Sequence, residues 1–210
     1  MTTRTLARRA ALVAAAATAV LALTACGGET SGSGTTAGAP GASATATAHN
    51  AQDVRFAQGM IPHHRQALEM ARLAAGRASS ARVKDLAARI EKAQDPEIRT
   101  MTGWLRSWGE QVPTAGMDHS AHSGHTGMPG MSGMPGMMGD DDMTALKKAH
   151  GRAFDTAFLS LMVEHHRGAV EMAGTERSKG AYGPARRTAD DIVTAQNAEI
   201  KEMKKLLGAG

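Results

Sequence analysis

The sequence predicts an all-α protein, an antiparallel four-helix bundle built from two copies of one helical hairpin. Three observations predict it. The run Met60-Ile61-Pro62-His63-His64-Arg65-Gln66-Ala67-Leu68-Glu69-Met70-Ala71 returns 102 residues later as Met162-Val163-Glu164-His165-His166-Arg167-Gly168-Ala169-Val170-Glu171-Met172-Ala173. A second block keeps the same offset: Ala87, Ile90, Gln94, Glu97, Ile98 and Met101 return as Ala189, Ile192, Gln196, Glu199, Ile200 and Met203. Ten of nineteen positions match in 53–71 and eight of nineteen in 87–105, without a gap, so the chain holds a duplicated unit. Within each copy, apolar residues recur at the 3.6-residue period on both sides of a short turn.

The N-terminal 49 residues do not belong to that bundle. Arg4, Arg8 and Arg9 precede the apolar run Ala10–Leu23, the pattern of an export signal over 1–25, too short to serve as a membrane span. Leu23-Thr24-Ala25-Cys26 has the form of a lipobox, so Cys26 is expected to carry a lipid and to become the mature N-terminus. Cys26 is also the only cysteine, which excludes an internal disulfide. Residues 26–49 are Gly, Ser, Thr and Ala for the most part and read as a flexible tether, with a reach of roughly 25–30 Å. These features place residues 50–210 outside the cytoplasm, held to the outer face of a bacterial plasma membrane or in the periplasm.

The formal charge of +4 includes the three signal arginines. Residues 26–210 carry 21 basic and 20 acidic groups, and aromatics are 3% of the chain. A nucleic-acid partner therefore has no basic, aromatic footprint to bind.

Hairpin one spans 50–108. Asn50 or Asp53 caps its first helix, whose stripe is Phe56, Met60, His63, His64, Ala67, Ala71 and Ala74. Pro62 is expected to kink it. Gly76–Ser80 makes the turn, with Ser79 or Ser80 as the next cap. The second helix carries Val83, Ala87, Ile90, Gln94, Ile98, Met101 and Leu105 on one stripe. Hairpin two spans 142–208 after a linker over 109–141. Asp140–Asp142 should start its first helix, which then presents Phe154, Phe158, Met162, His165, His166, Ala169 and Ala173. After the turn at Gly180–Pro184, the last helix presents Ile192, Gln196, Ile200, Met203 and Leu207.

Two histidine pairs thus face the centre of the bundle. Placing each turn at its apex puts His63 and His64 level with Gln94, and Met60 level with Glu97. The same construction puts His165 and His166 level with Gln196, and Met162 level with Glu199. Arg65 and Glu69 face away and form a solvent-side i,i+4 pair. A buried polar network of imidazole, amide and carboxylate accounts for a lone core histidine. Two adjacent pairs, each with a methionine three residues earlier, point instead to imidazole and thioether ligands for a copper-like ion, with Gln94, Glu97, Gln196 and Glu199 behind them. Met70 and Met172 lie at the stripe edge and read as core.

The linker carries a second ligand run. His119, His122 and His125 come every third residue, followed by Met128, Met131, Met134 and Met137 at the same spacing, with Met138 adjoining. Gly and Pro between them exclude a packed helical stripe. Thioethers suit Cu(I) and imidazoles suit Cu(II), whereas zinc favours the thiolates this run lacks. Copper, as Cu(I) or Cu(II), is the metal these donors imply.

At these residues the chain resembles the secreted bacterial family called domain of unknown function 305, over about 50–108 and 150–207. The shared mark is Met-Ile-Pro-His-His with Ala and Glu-Met-Ala after it, then Ala-Gln and Glu-Ile before a Met. The resemblance implies a ferritin-like four-helix bundle and, in some members, copper binding and copper tolerance. It carries the family motif onto Met60, His63, His64 and Met70, and onto Met162, His165, His166 and Met172. The second copy departs from it at Val163-Glu164.

Three functions compete. The first is a surface-tethered copper protein that buffers the ion or passes it on. The second is an interaction module whose histidines are purely structural. The third is a di-metal oxidoreductase, which needs inward carboxylates and Glu-x-x-His pairs; the chain contains no Glu-x-x-His. No nucleophile, base and orienting acid stand in a readable hydrolase constellation.

Overall fold

The computed structural model describes residues 48–114 and 134–208. Among them the structure is all-helical: α1 (Ala51–Arg77), α2 (Ala81–Trp108), α3 (Asp140–Lys148), α4 (Gly151–Lys179) and α5 (Gly183–Gly208). None of these helices is long and apolar enough to cross a membrane.

Local chemistry sets most of the boundaries. Asn50 opens α1 through a capping box. Its side chain accepts from the Gln52 and Asp53 amides, and the Asp53 carboxylate accepts from the Asn50 amide at 2.6 Å. The helix then runs through Pro62, as α2 runs through Pro96. Gly109 ends α2 at φ 73°, a left-handed cap that a side chain would strain.

The first helix of the second hairpin differs from the sequence expectation. It was expected to start at Asp140–Asp142 and continue to Ala173. Instead α3 stops at Lys148, and α4 begins afresh at Gly151, where φ is 60°. Gly151 admits the left-handed conformation at the break, and Ala78 pairs with it there in an isolated bridge. Three aspartates in its first turn and Lys147 and Lys148 in its last suit α3 to its own dipole.

The helix α1 packs along α2, α4 along α5, and α1 against α4. Two apolar clusters result. One joins Met70, Ala74, Val83, Leu86, Phe154, Phe158 and Met203, so it combines the C-terminal half of α1 with the N-terminal half of α4. The other joins Phe56, Ala57, Met60, Met101, Leu105, Ala173 and Ile192 from the opposite halves. The helices α1 and α4 therefore run in opposite directions, and the histidine pairs fall where the two clusters meet. The solvent-side Arg65–Glu69 pair is not formed. Arg65 donates to the Pro113 carbonyl at 2.7 Å, and Glu69 pairs with Lys147 of α3 at 2.6 Å.

The two copies interlock through equivalent aspartates 102 residues apart. Asp155 of α4 accepts from the amides of Ser79 and Ser80, at 3.1 and 3.0 Å, and from the Ser79 hydroxyl. Ser80 makes no side-chain cap of its own, contrary to the sequence expectation, so Asp155 supplies the acceptor at the start of α2. Asp53 of α1 repeats the arrangement at the other turn, accepting from Tyr182 at 2.9 Å and Ala181 at 3.2 Å. Each copy thus holds the hairpin turn of the other.

Glu176 breaks the symmetry, since the first copy has Ala74 there. Its carboxyl is fully buried and folds over Gly180, where a Cβ would collide with it. Burial, with the Asp53 carboxyl beside it, pushes Glu176 up to about 8. Burial alone would raise Asp53 too, but the Glu176 carboxyl beside it and hydrogen bonds from the Asn50, Tyr182 and Ala181 amides hold it below its ordinary value. Glu176 therefore keeps its proton in the folded chain. A raised acid contributes stability that is full below the unfolded value near 4.5 and is lost as pH rises towards and through about 8. Glu176→Gln keeps the neutral form at every pH. It is expected to remove a fall in Tm of roughly 5 °C between pH 6 and pH 8. Parallel pH dependence of the two melting curves would show that Glu176 is not protonated.

Candidate metal centre

The histidines are among the most deeply buried polar groups of the fold: His63, His64 and His166 are 0% exposed and His165 is 1% exposed. The rings of His63 and His165 lie against each other, with centroids 3.8 Å apart and planes tilted by 40°. The duplicated copies therefore meet at these two side chains.

The outer pair is tied to carboxylates. His64 Nε2 lies 2.6 Å from Glu97 Oε2, and His166 Nε2 lies 2.7 Å from Glu199 Oε2. The sequence placed Met60 and Met162 level with these glutamates. In the structure the second histidine of each pair takes that position. A carboxylate only accepts, so each imidazole donates Nε2–H to it and turns Nδ1 away from it. A carboxylate behind an imidazole is how proteins orient a metal-binding histidine.

His63 Nε2 lies 3.1 Å from the Pro135 carbonyl oxygen, which fixes the same tautomer. The Nδ1 atoms of all four histidines, and His165 Nε2 as well, have no hydrogen-bond partner, and neither do the Gln94 and Gln196 Oε1 atoms. Gln94 and Gln196 are each 3% exposed. Desolvation, then the neighbouring imidazole of His64, lowers His63 to about 3. Desolvation, then His63, holds His165 well below its ordinary value. Both rings are neutral at physiological pH, the form that binds metal.

Buried polar nitrogen without a partner is costly, and five such atoms at one level fit a soft or borderline cation. Among the described residues, no three His, Cys, Asp or Glu side chains are already disposed around one point. A metal here would draw on thioether or amide donors as well as imidazole. Met60 and Met162 are fully buried, Met60 in one apolar cluster and Met162 in the other.

The end of the linker lies over this layer as a strap. Gln66 clamps Met138 twice, accepting from its amide at 2.8 Å and donating to its carbonyl at 2.9 Å. On the α4 side, Gly168 leaves room for the Pro135 backbone, and a Cβ there would collide with the Pro135 carbonyl. Gly136, at φ 75°, sits against the Glu164 and His165 carbonyls. Gln66 and Gly168 occupy equivalent positions of the two copies. That mismatch, inside an otherwise matched motif, is the sequence signal that could have revealed the strap.

Of the linker ligands, Met134, Met137 and Met138 are half-buried on the strap, and Met138 packs against an apolar cluster. His119, His122, His125, Met128 and Met131 lie outside the described residues, as does Cys26.

Comparison with known proteins identifies the family and the fold. The profile of the Domain of unknown function (DUF305) matches residues 53–207. A DUF305 protein from Streptomyces coelicolor, described as secreted, is 34% identical with a TM-score of 0.64, over 75% of this chain and 93% of its own. A DUF305 fragment from Deinococcus radiodurans is 30% identical with a TM-score of 0.65, over 77% and 98%. CopM in its Cu(II)-bound form is 32% identical with a TM-score of 0.60, over 75% and 96%. CopM has also been solved with Cu(I) and with silver. No curated protein matches. With its profile matched across both copies and the histidine layer between them, the chain belongs to the DUF305 family.

Proposed function

We propose that this chain is an extracytoplasmic copper-binding protein, lipid-anchored through Cys26, whose long helices form a ferritin-like four-helix bundle around the ion. The observation that carries this reading is the layer of buried imidazoles with unpartnered nitrogens, of which His63 and His165 are held neutral and His64 and His166 are backed by Glu97 and Glu199. The copper and silver forms of CopM support the choice of metal. His63, His64, His165 and His166 hold the ion, with Met60 and Met162 as thioether donors. Gln94 and Gln196 supply amide oxygens. The run from His119 to Met138 captures copper outside the bundle, and the tether keeps the protein near the membrane. Buffering or delivery of copper is the outcome.

The test is titration of residues 43–210 with Cu(I), Cu(II) and Zn(II), beside His63→Ala/His165→Ala and beside a chain lacking 117–133. The double variant is expected to lose at least about 100-fold in copper affinity, while Glu97→Gln and Glu199→Gln each lose roughly 10-fold. Thermal melting of each variant separates loss of ligand from loss of fold. If copper affinity depends only on the deleted run, the histidines are a buried polar network. If nothing binds copper, the protein is an interaction module.

A further inference from the structure

The duplicated copies differ beneath the strap in a second place. Gly59 of α1 corresponds to Leu161 of α4, and Met172 corresponds to Met70. Met70 is fully buried in an apolar cluster. Around Gly59 the corresponding space is bounded by sulphur. A Cβ at Gly59 would lie 3.7 Å from the Met134 thioether of the strap and 3.7 Å from the Met172 thioether of α4. Both methionines are only half-buried. A cleft of about 220 Å³ adjoins them, lined by Phe56, Pro135, Glu171 and Met172 among others.

We propose that Met134 and Met172 form a surface port for a soft monovalent d10 ion, Cu(I) or Ag(I), above Gly59 and separate from the histidine layer. It rests on the copper reading above, takes only Met134 from the linker run and uses no ligand of the histidine layer. Two neutral thioethers match such an ion and match Zn(II) poorly. Neither sulphur carries a proton to lose, so the port binds across a wide pH range. Strap geometry sets the pair, because Gln66 and Gly168 hold the segment that carries Met134. A leucine in place of Gly59, as in the other copy, would fill the space between the sulphurs.

The test uses residues 43–210 with 13C-methyl methionine, titrated with Ag(I) as a redox-inert probe and with Zn(II) as control. Ag(I) is expected to shift the Met134 and Met172 methyl signals together, and Zn(II) to leave them in place. Met134→Leu and Met172→Leu, which keep the side-chain volume, should each abolish the shift of the other signal and weaken this site about 10-fold. His166→Ala, whose ring contacts Glu199 and not the strap, should leave both shifts intact. Unmoved Met134 and Met172 signals alongside Ag(I)-induced histidine shifts would overturn the port and spare the histidine centre. Paired methionine shifts without any histidine response would do the reverse. A Met134 shift that persists in Met172→Leu would also overturn the port.

Discussion

Asp155→Ala is expected to destabilise the fold by about 3 kcal/mol, a loss of roughly 6–10 °C in Tm for a domain of this size. The carboxylate is 8% exposed and accepts three hydrogen bonds at one turn, from two backbone amides and the Ser79 hydroxyl. Alanine leaves both amides without an acceptor at the start of α2, and a part-buried donor left unpaired costs about 1–3 kcal/mol. The contact also joins residues 75 and 76 positions apart, so its loss loosens one copy from the other. Asp155→Asn keeps one acceptor oxygen and should fall between the two. Asp53→Ala should match Asp155→Ala at pH 6 in direction and size, because Asp53 does the same work at the other turn. Urea unfolding followed by circular dichroism measures all three. A change below about 0.5 kcal/mol for Asp155→Ala would mean that water replaces the carboxylate and that the interlock carries no weight.

Gly168→Ala is expected to expel the strap while leaving the helices folded. The added Cβ collides with the Pro135 carbonyl, and backbone cannot rotate away as a long side chain can. The helix itself favours the change, since alanine is the better helix former by about 1 kcal/mol. Displacing Pro135 deprives His63 Nε2 of its acceptor and uncovers the histidine layer on that side. The Met138 amide, held by Gln66 at 2.8 Å, is the reporter. Its hydrogen exchange should accelerate about 10- to 100-fold, as expected for loss of one or two hydrogen bonds, while amides of α1 and α4 keep their protection. Gln66→Ala should produce a similar but smaller acceleration, because it leaves the Gly168 groove intact. Unchanged exchange at Met138 in Gly168→Ala would show that α4 yields instead of the strap.

The parts of this architecture that were legible in the sequence are those set by short-range pattern. The repeat at 102 residues and the 3.6-residue stripes were enough to mark four long helices and to turn His63, His64, His165 and His166 inwards. Antiparallel pairing within a hairpin also made Glu97 and Glu199 neighbours of the histidines, since only a short turn intervenes. The level was one turn off: His64, rather than Met60, meets Glu97. A side chain reaches along the helix as well as outwards, and stripe geometry alone does not include that reach.

Three features were not legible, and each depends on contacts between segments that are not neighbours in the chain. Asp53 and Asp155 repeat visibly, yet the pattern does not say that each serves the turn of the other copy. Two similar hairpins can be joined in several ways with the same stripes. The break at Gly151 has one local signal, the glycine itself, but a lone glycine does not by itself end a helix, and the bridge to Ala78 forms only in the folded chain. The strap, too, looks like the end of a Gly- and Pro-rich linker until Gln66 and Gly168 are seen to hold it.

By itself, then, the sequence determined the four long helices, the duplication and the inward turn of the histidine pairs. Only the tertiary structure decided that His63 meets His165, that Pro135 closes over them, and that Met134 comes to rest beside Met172. The physical reason is that periodicity specifies which face of a helix is buried, whereas the partner of that face is chosen by packing between segments far apart in the chain.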